Sequence, residues 1–282
     1  MLPPNRRQQI GILKGERMLD YKFYRRDGIG DTIVLLHGMG GNSNIFYKQI
    51  DEYREYFHVL AIHLPGHGKS PDIQDLKSPF NYDVVVEEII KTLDSLRIEQ
   101  AHFIGISLGS IVIHHLLQTQ PSRVKSAVLG GVVTRFNAYA KTLFQMGNII
   151  KNFVPFMLIY RTFAQIMMPK VNHKQSRRIF IEEAKKMKRE NFLSWFKVIG
   201  KANEAYQNVQ VKSKDVPKLY ISGQEDHLFV QKLLEDIKGD KSSEVLIIEE
   251  CGHVCNIEKP VEFNTASLRF LMTHSKVDEV AI

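Results

Sequence analysis

The sequence predicts an α/β protein with a mostly parallel, doubly wound sheet and a helical segment inserted late in the chain. Three observations carry this. Short β-rich runs alternate with longer runs at helical spacing, the pattern of a parallel sheet joined by crossover helices. The short runs are apolar throughout instead of alternating, as strands covered on both faces must be. The alternation also stops near Thr134 and resumes near Val216.

Taken in order, residues 32–37 form the first strong strand, ending at the glycine cluster Gly38, Gly40 and Gly41. Residues 58–62 form the second, closed by Pro65 and Gly66, and residues 82–96 follow as an amphipathic helix. Residues 101–106 are a strand running directly into a helix over 110–118, and 124–129 are the next strand. Residues 218–222 and 245–248 complete the strands, and 261–272 form a closing helix. The intervening stretch of about 80 residues is too long for a loop in a compact domain. It reads as a helical cap over residues 134–214, seated on a core made of 20–133 and 215–282, with 1–19 as an N-terminal extension.

Composition narrows the class of protein. The 282 residues are 44% hydrophobic and 24% charged, ordinary for a globular chain and unlike a disordered or fibrous one. Two cysteines, Cys251 and Cys255, do not make a disulfide framework. No apolar run approaches the ~18 residues of a spanning helix, and the basic start lacks the apolar stretch of a secretory signal. The expectation is a cytoplasmic protein. Net charge is +7, but between Arg135 and Lys214 there are 16 Lys/Arg against 4 Asp/Glu. With no zinc-finger, RNA-recognition or helix-turn-helix signature, this excess points away from nucleic acid. The basic stretch Lys185, Lys186, Lys188 and Arg189 is instead expected to draw anionic substrates or a membrane surface to the cap.

The chemistry starts at Gly105-Ile106-Ser107-Leu108-Gly109. A strand-to-helix turn here holds the serine in strained geometry, exposes its Oγ and places the Leu108 amide at a helix N-terminus. A serine hydroxyl needs a base to take its proton, and His253, just after the last strand, is the candidate. The imidazole needs an orienting acid. Asp226, just past the strand over 218–222, fits, with Glu225 as the fallback. His227 adjoins the proposed acid and is read as beginning a different helix, so it is set aside as base. The glycines after His37 let the chain approach the substrate, so the amides of Met39 and Leu108 are assigned as oxyanion donors. Cys251-x-His253-x-Cys255 fits no standard zinc spacing; no metal and no cofactor is expected. His37, His63, His67, His114 and His115 are read as structural.

In order, His37-Gly38, the loop 65–70, the serine turn and the Asp226 and His253 loops make the chain resemble the α/β-hydrolase superfamily over residues 21–273. The tail from His253 through Glu258, Pro260, Phe263 and Asn264 is similar to that family's closing segment. The resemblance implies a cap inserted after the sixth strand, where the basic helical region falls. It also implies that serine at this turn is not the aspartate of dehalogenases and epoxide hydrolases. One departure is His63, where relatives usually carry an aspartate; altered loop hydrogen bonding is expected there, with catalysis retained.

The expected activity is hydrolysis of a small-molecule carboxylic ester, of short to medium acyl length, through an acyl-enzyme on Ser107. A thioesterase, a lactonase or a carbon–carbon bond hydrolase would use the same residues. The alternative of a different class is a ligand receptor that keeps the fold.

Overall fold

The computed structural model describes residues 18–26, 28 and 30–275. Seven strands form one sheet: β1 (Tyr21–Tyr24), β2 (Thr32–Leu36), β3 (His58–Ile62), β4 (Ala101–Ile106), β5 (Val124–Gly130), β6 (Lys218–Gly223) and β7 (Ser243–Ile248). Their order is β1-β3-β2-β4-β5-β6-β7, parallel throughout except for β1, which runs antiparallel to β3. Every residue of β2, β4 and β6 is buried, as strands covered on both faces must be, and among the polar exceptions His102 and Lys218 are hydrogen-bonded. The edge strand β7 keeps Glu244 and Val245 exposed.

Before the inserted segment come α1 (Ile50–Tyr53), α2 (Tyr82–Ser95) and α3 (Leu108–Thr119). Asn81 caps α2, its side chain accepting from the Val84 amide. Six helices lie between β5 and β6: α4 (Ala138–Ile150), α5 (Phe156–Met167), α6 (Lys174–Ala184), α7 (Arg189–Ile199), α8 (Ala202–Tyr206) and α9 (Val209–Lys212). After β6 follow α10 (Val230–Asp236), α11 (Cys255–Glu258) and α12 (Pro260–Thr273). Among the described residues the insertion follows the fifth strand of the sheet.

Two expectations shift in detail. Leu19 is fully buried in the core, so the fold begins before residue 20; residues 1–17 of the expected extension lie outside the described residues. His227 does not start a helix: it is exposed in the turn ahead of α10.

The inserted helices are tied to the core by buried polar contacts. The sole tryptophan, Trp195, is fully buried and its Nε1 donates to Pro65 O at 2.8 Å. Asn191 Oδ1 accepts from the Ile73 amide while its Nδ2 donates to Asp72. Both contacts are made to the loop between β3 and α2, at the C-terminal end of the sheet.

Burial also sets the charge state of several histidines. It holds His67 and His102 down at about 4 and His114 at about 3, and it pushes His37 well below its usual range. These rings fold neutral, whereas in the unfolded chain they take a proton near pH 6.5. Between those limits the unfolded state binds more protons, so stability falls as pH drops from 6.5 toward 4, each group contributing up to about 1.4 kcal/mol per pH unit. Urea midpoints measured from pH 7 to 4.5 should fall steadily; a flat profile across this window would contradict the neutral assignment.

Candidate active site

The serine turn is built as its glycines require. Ser107 sits between β4 and α3 with φ 55° and ψ −111°, a backbone conformation uncommon for any residue with a side chain. Its amide is anchored to Gly130 O at 2.9 Å on the neighbouring strand. The turn closes tightly because Gly105 and Gly109 face each other: a Cβ on Gly105 would meet the Gly109 carbonyl at 2.5 Å.

From Ser107 a hydrogen-bonded chain runs inward. His253 Nε2 lies 2.8 Å from Ser107 Oγ, and His253 Nδ1 lies 2.7 Å from Asp226 Oδ2. An ionised carboxylate can only accept, so the ring proton sits on Nδ1 and the Nε2 lone pair faces the serine hydroxyl. His253 and Asp226 are both fully buried, and Phe229 packs on the imidazole with ring centroids 5.3 Å apart. Asp226 Oδ1 makes no hydrogen bond among the described residues, so the side-chain bond this carboxylate makes is the one to His253 through Oδ2.

Glu225 points elsewhere. It accepts from His173 Nε2 at 2.7 Å, Lys170 Nζ at 2.7 Å and Asn172 Nδ2 at 3.0 Å. These bonds, from Asn172 first and Lys170 next, hold its carboxyl down at about 2. Of the two neighbouring acids, only Asp226 reaches the imidazole. His173 is fully buried and also lies 3.7 Å from Glu258, whose Oε2 accepts from the Gly252 amide at 2.6 Å. Ser176 on α6 donates to the other oxygen of Glu258 at 2.7 Å. The first turn of α6 thus clamps both loops that carry Asp226 and His253. His173 is not singled out by the sequence, because no local pattern relates it to Glu225 and Glu258, more than 50 positions away.

The two expected amide donors flank the serine. Leu108 is the first residue of α3, where an amide has no partner one turn back. Met39 borders the same cavity as Ser107. Gly38 O is held by the Gly41 amide at 3.0 Å and His37 Nδ1 at 2.8 Å. In a trans peptide the N–H points opposite the carbonyl, so the Met39 amide is turned away from those contacts. His37 Nε2 accepts from the Leu64 amide and His67 Nε2 from the Gly40 amide. The two neutral rings therefore shape the turn that carries Met39, and Tyr160 on α5 clasps it from above by donating to Met39 O at 2.7 Å.

His63 keeps a carboxylate in the loop after β3 by another route. Its Nδ1 bonds Asp20 Oδ2 at 2.7 Å and its Nε2 bonds Ser43 Oγ at 2.9 Å. Asp20 also accepts from the Lys69 amide. Burial opposes ionisation of Asp20, but the bonds from His63 and Lys69 outweigh it and lower its pKa. His115 pairs with Asp83 at the surface, while His114 is buried without a hydrogen bond. Cys251 and Cys255 are buried free thiols, raised by burial, Cys255 to about 12.

Above Ser107 opens a cavity of about 390 Å³ between the sheet and helices α4, α5 and α7. Phe136, Phe144, Phe163, Phe196, Phe229 and Met167 supply much of its wall, and no charged side chain lines it. In the basic stretch after α6, the three lysines have carboxylate partners and remain partly exposed. Lys185 pairs with Glu182, Lys186 with Glu183 and Lys188 with Asp72, while Arg189 donates to Lys151 O.

A strained serine between a parallel strand and a helix faces a histidine and a buried aspartate brought in by later loops, at the C-terminal end of a mostly parallel sheet. The chain belongs to the alpha/beta hydrolase fold family, whose sequence model matches residues 31–260. It is 23% identical over 257 residues to (E)-2-((N-methylformamido)methylene)succinate hydrolase of Acinetobacter baylyi, covering 89% of this chain and 94% of the relative. It is 23% identical to the uncharacterized carboxylesterase nap of Bacillus subtilis, covering 84% and 78%. Among solved structures, one from a study of the carboxylesterases of Nitrososphaera gargenis superposes with a TM-score of 0.75 at 17% identity, covering 93% of this chain and 98% of the other. Among the described residues no helix is long and apolar enough to cross a membrane.

Proposed function

We propose that this protein is a serine hydrolase that cleaves carboxylic esters of uncharged, apolar acids of short to medium chain length. The observation that carries the reading is the Ser107–His253–Asp226 hydrogen-bonded chain opening onto an apolar cavity of about 390 Å³. That volume lies at the small end of the ~300–1,000 Å³ typical of small-molecule sites. Ser107 Oγ attacks the ester carbonyl as His253 Nε2 takes its proton, and the new oxyanion is met by the amides of Met39 and Leu108. Collapse of that adduct breaks the bond to the alcohol oxygen, which leaves with the proton from His253. A water deprotonated by the same ring then releases the acid from Ser107. Asp226 stabilises the imidazolium in both halves of the cycle.

The choice of acid is directly testable. Asp226→Asn should lower kcat by about 10⁴-fold, because an amide can offer its N–H to Nδ1 and favours the wrong tautomer. Glu225→Gln should leave kcat within about tenfold of wild type, since its bonds run to α6 and its preceding loop. Steady-state kinetics on one ester would reverse the assignment if Glu225→Gln proved the more damaging change.

Substrate class is tested with p-nitrophenyl esters from C2 to C16. Turnover should rise from C2 to an optimum near about C8 and fall at the longest chains. An ester of matched length bearing a terminal carboxylate should be cut at least about 10²-fold more slowly, because the cavity offers that charge no partner. If no ester is turned over, labelling of Ser107 by an active-site phosphonate would point to a hydrolase of narrower substrate range, and absence of labelling would put the ligand-receptor reading in place of this one.

A further inference from the structure

Around the mouth of the cavity, Met146, Ile149, Ile150 and Phe153 at the end of α4, and Leu158 on α5, stand in the open; Phe153 is 88% exposed and Ile149 70%. Helical bonding continues past α4, with the Val154 amide donating to Ile150 O at 3.0 Å. Residues 146, 149, 150 and 153 therefore share one face, at the i, i+3, i+4, i+7 spacing. Met146, Ile150 and Leu158 also line the cavity, so apolar surface runs from solvent toward Ser107 without a charged residue in the wall. Contiguous exposed apolar surface of this kind marks an interaction site in soluble proteins.

Along this stretch of sequence the charge has one sign, and a carboxylate in reach of its cations is Glu182 on α6, beside Arg161. From residue 136 to 181 the chain carries seven Lys/Arg and no Asp or Glu. Three of those cations, Lys141, Lys151 and Arg161, belong to α4, α5 or the turn between them. Lys151 follows Ile150 directly, and Arg161 lies one turn from Leu158.

We propose that this face docks on an anionic lipid bilayer, with Ile149, Ile150 and Phe153 entering the acyl layer while the cations of α4 and α5 meet the head groups. A second copy of the chain would bring like-charged helices together, which disfavours self-association through this surface. An acidic protein would match the cations, but it gives no role to apolar side chains that continue into an uncharged cavity. A bilayer does both: it takes the apolar tips, and it presents acyl chains at the opening of a site shaped for them. Delivery of substrate from the bilayer rests on the ester-hydrolase reading; docking does not.

The test is vesicle flotation of the full chain with phosphatidylcholine alone and with added phosphatidylglycerol, at low and high salt. Wild type should float with the phosphatidylglycerol vesicles and be released by salt. The double variant Ile149→Asp with Phe153→Asp should lose at least about tenfold in binding. Neither side chain lines the cavity, so its turnover of a short soluble ester should match wild type, which also reports that it folds. Ser107→Ala should float like wild type, so docking and catalysis fail separately. Three results overturn the proposal: no flotation with either vesicle, flotation unchanged in the double variant, or light scattering that shows a dimer of wild type dissolved by the double variant without vesicle binding.

Discussion

Ser107→Ala is expected to lower kcat by about 10⁵- to 10⁶-fold while leaving the fold intact. The substitution removes only Oγ, and the positive φ of residue 107 is held by its neighbours: the amide bond to Gly130 O and the facing glycines Gly105 and Gly109. What is lost is the atom that forms the acyl-enzyme, so a substrate that still binds has no covalent route to products. The donors at Met39 and Leu108 remain and should support a small residual rate with water as nucleophile. Pre-steady-state measurements with excess p-nitrophenyl ester give the comparison. A burst of one equivalent in wild type and none in the variant is the expected pair, and a variant retaining a tenth of the activity would displace Ser107 from the mechanism.

The second large effect is on stability. Gly109→Ala should cost about 3 kcal/mol or more, a substantial part of the 5–15 kcal/mol that holds a typical domain together. A Cβ there would lie 2.1 Å from Leu36 O and 2.8 Å from Leu36 C. Those are backbone atoms of β2, a central strand paired on both sides, and they have no rotamer into which to retreat. The glycine is demanded by the distance between helix and strand, since its backbone conformation is ordinary for α3. Gly30→Ala is the control: its nearest neighbour would be His58 Nε2 at 3.9 Å, and its melting temperature should stay near wild type. Thermal denaturation of both variants decides the point; equal melting temperatures would mean that α3 can move off the sheet.

How much of this was legible follows from where the information sits in the chain. The strands over 58–62 and 101–106 were read to the residue, because a buried parallel strand is a local run of apolar side chains bounded by loop residues. β1 escaped because Tyr21-Lys22-Phe23-Tyr24 is four residues long, alternates, and pairs antiparallel at the sheet's edge. β7 begins two residues earlier than expected, at Ser243 and Glu244, polar residues that an edge strand can carry and a central one cannot. Ser107, Asp226, His253, Met39 and Leu108 could be nominated because each follows a recognisable strand, and the fold brings strand ends together. The partners of His63 and Glu225 could not. Asp20 and His173 reach them across 43 and 52 residues, and nothing in either neighbourhood announces the meeting. The same holds for Lys185, Lys186 and Lys188: a run of positive charge is visible in sequence, but its pairing with Glu182, Glu183 and Asp72 depends on side-chain placement.

The clamp formed by His173, Ser176, Glu225 and Glu258 bears on how this protein can be re-engineered or can diverge. Helices α4 to α7 form the cavity roof, the obvious part to exchange for a relative's in order to change substrate. Half of the clamp lies in that roof and half in the core loops that hold the acid and the base. A graft that brings a new α6 without a partner for Glu225 and Glu258 would leave two carboxylates facing each other beside Asp226, with nothing between them. The roof is therefore not an independent cassette: specificity and the alignment of the proton relay are inherited together, and a successful transplant must carry residues 225 and 258 with it.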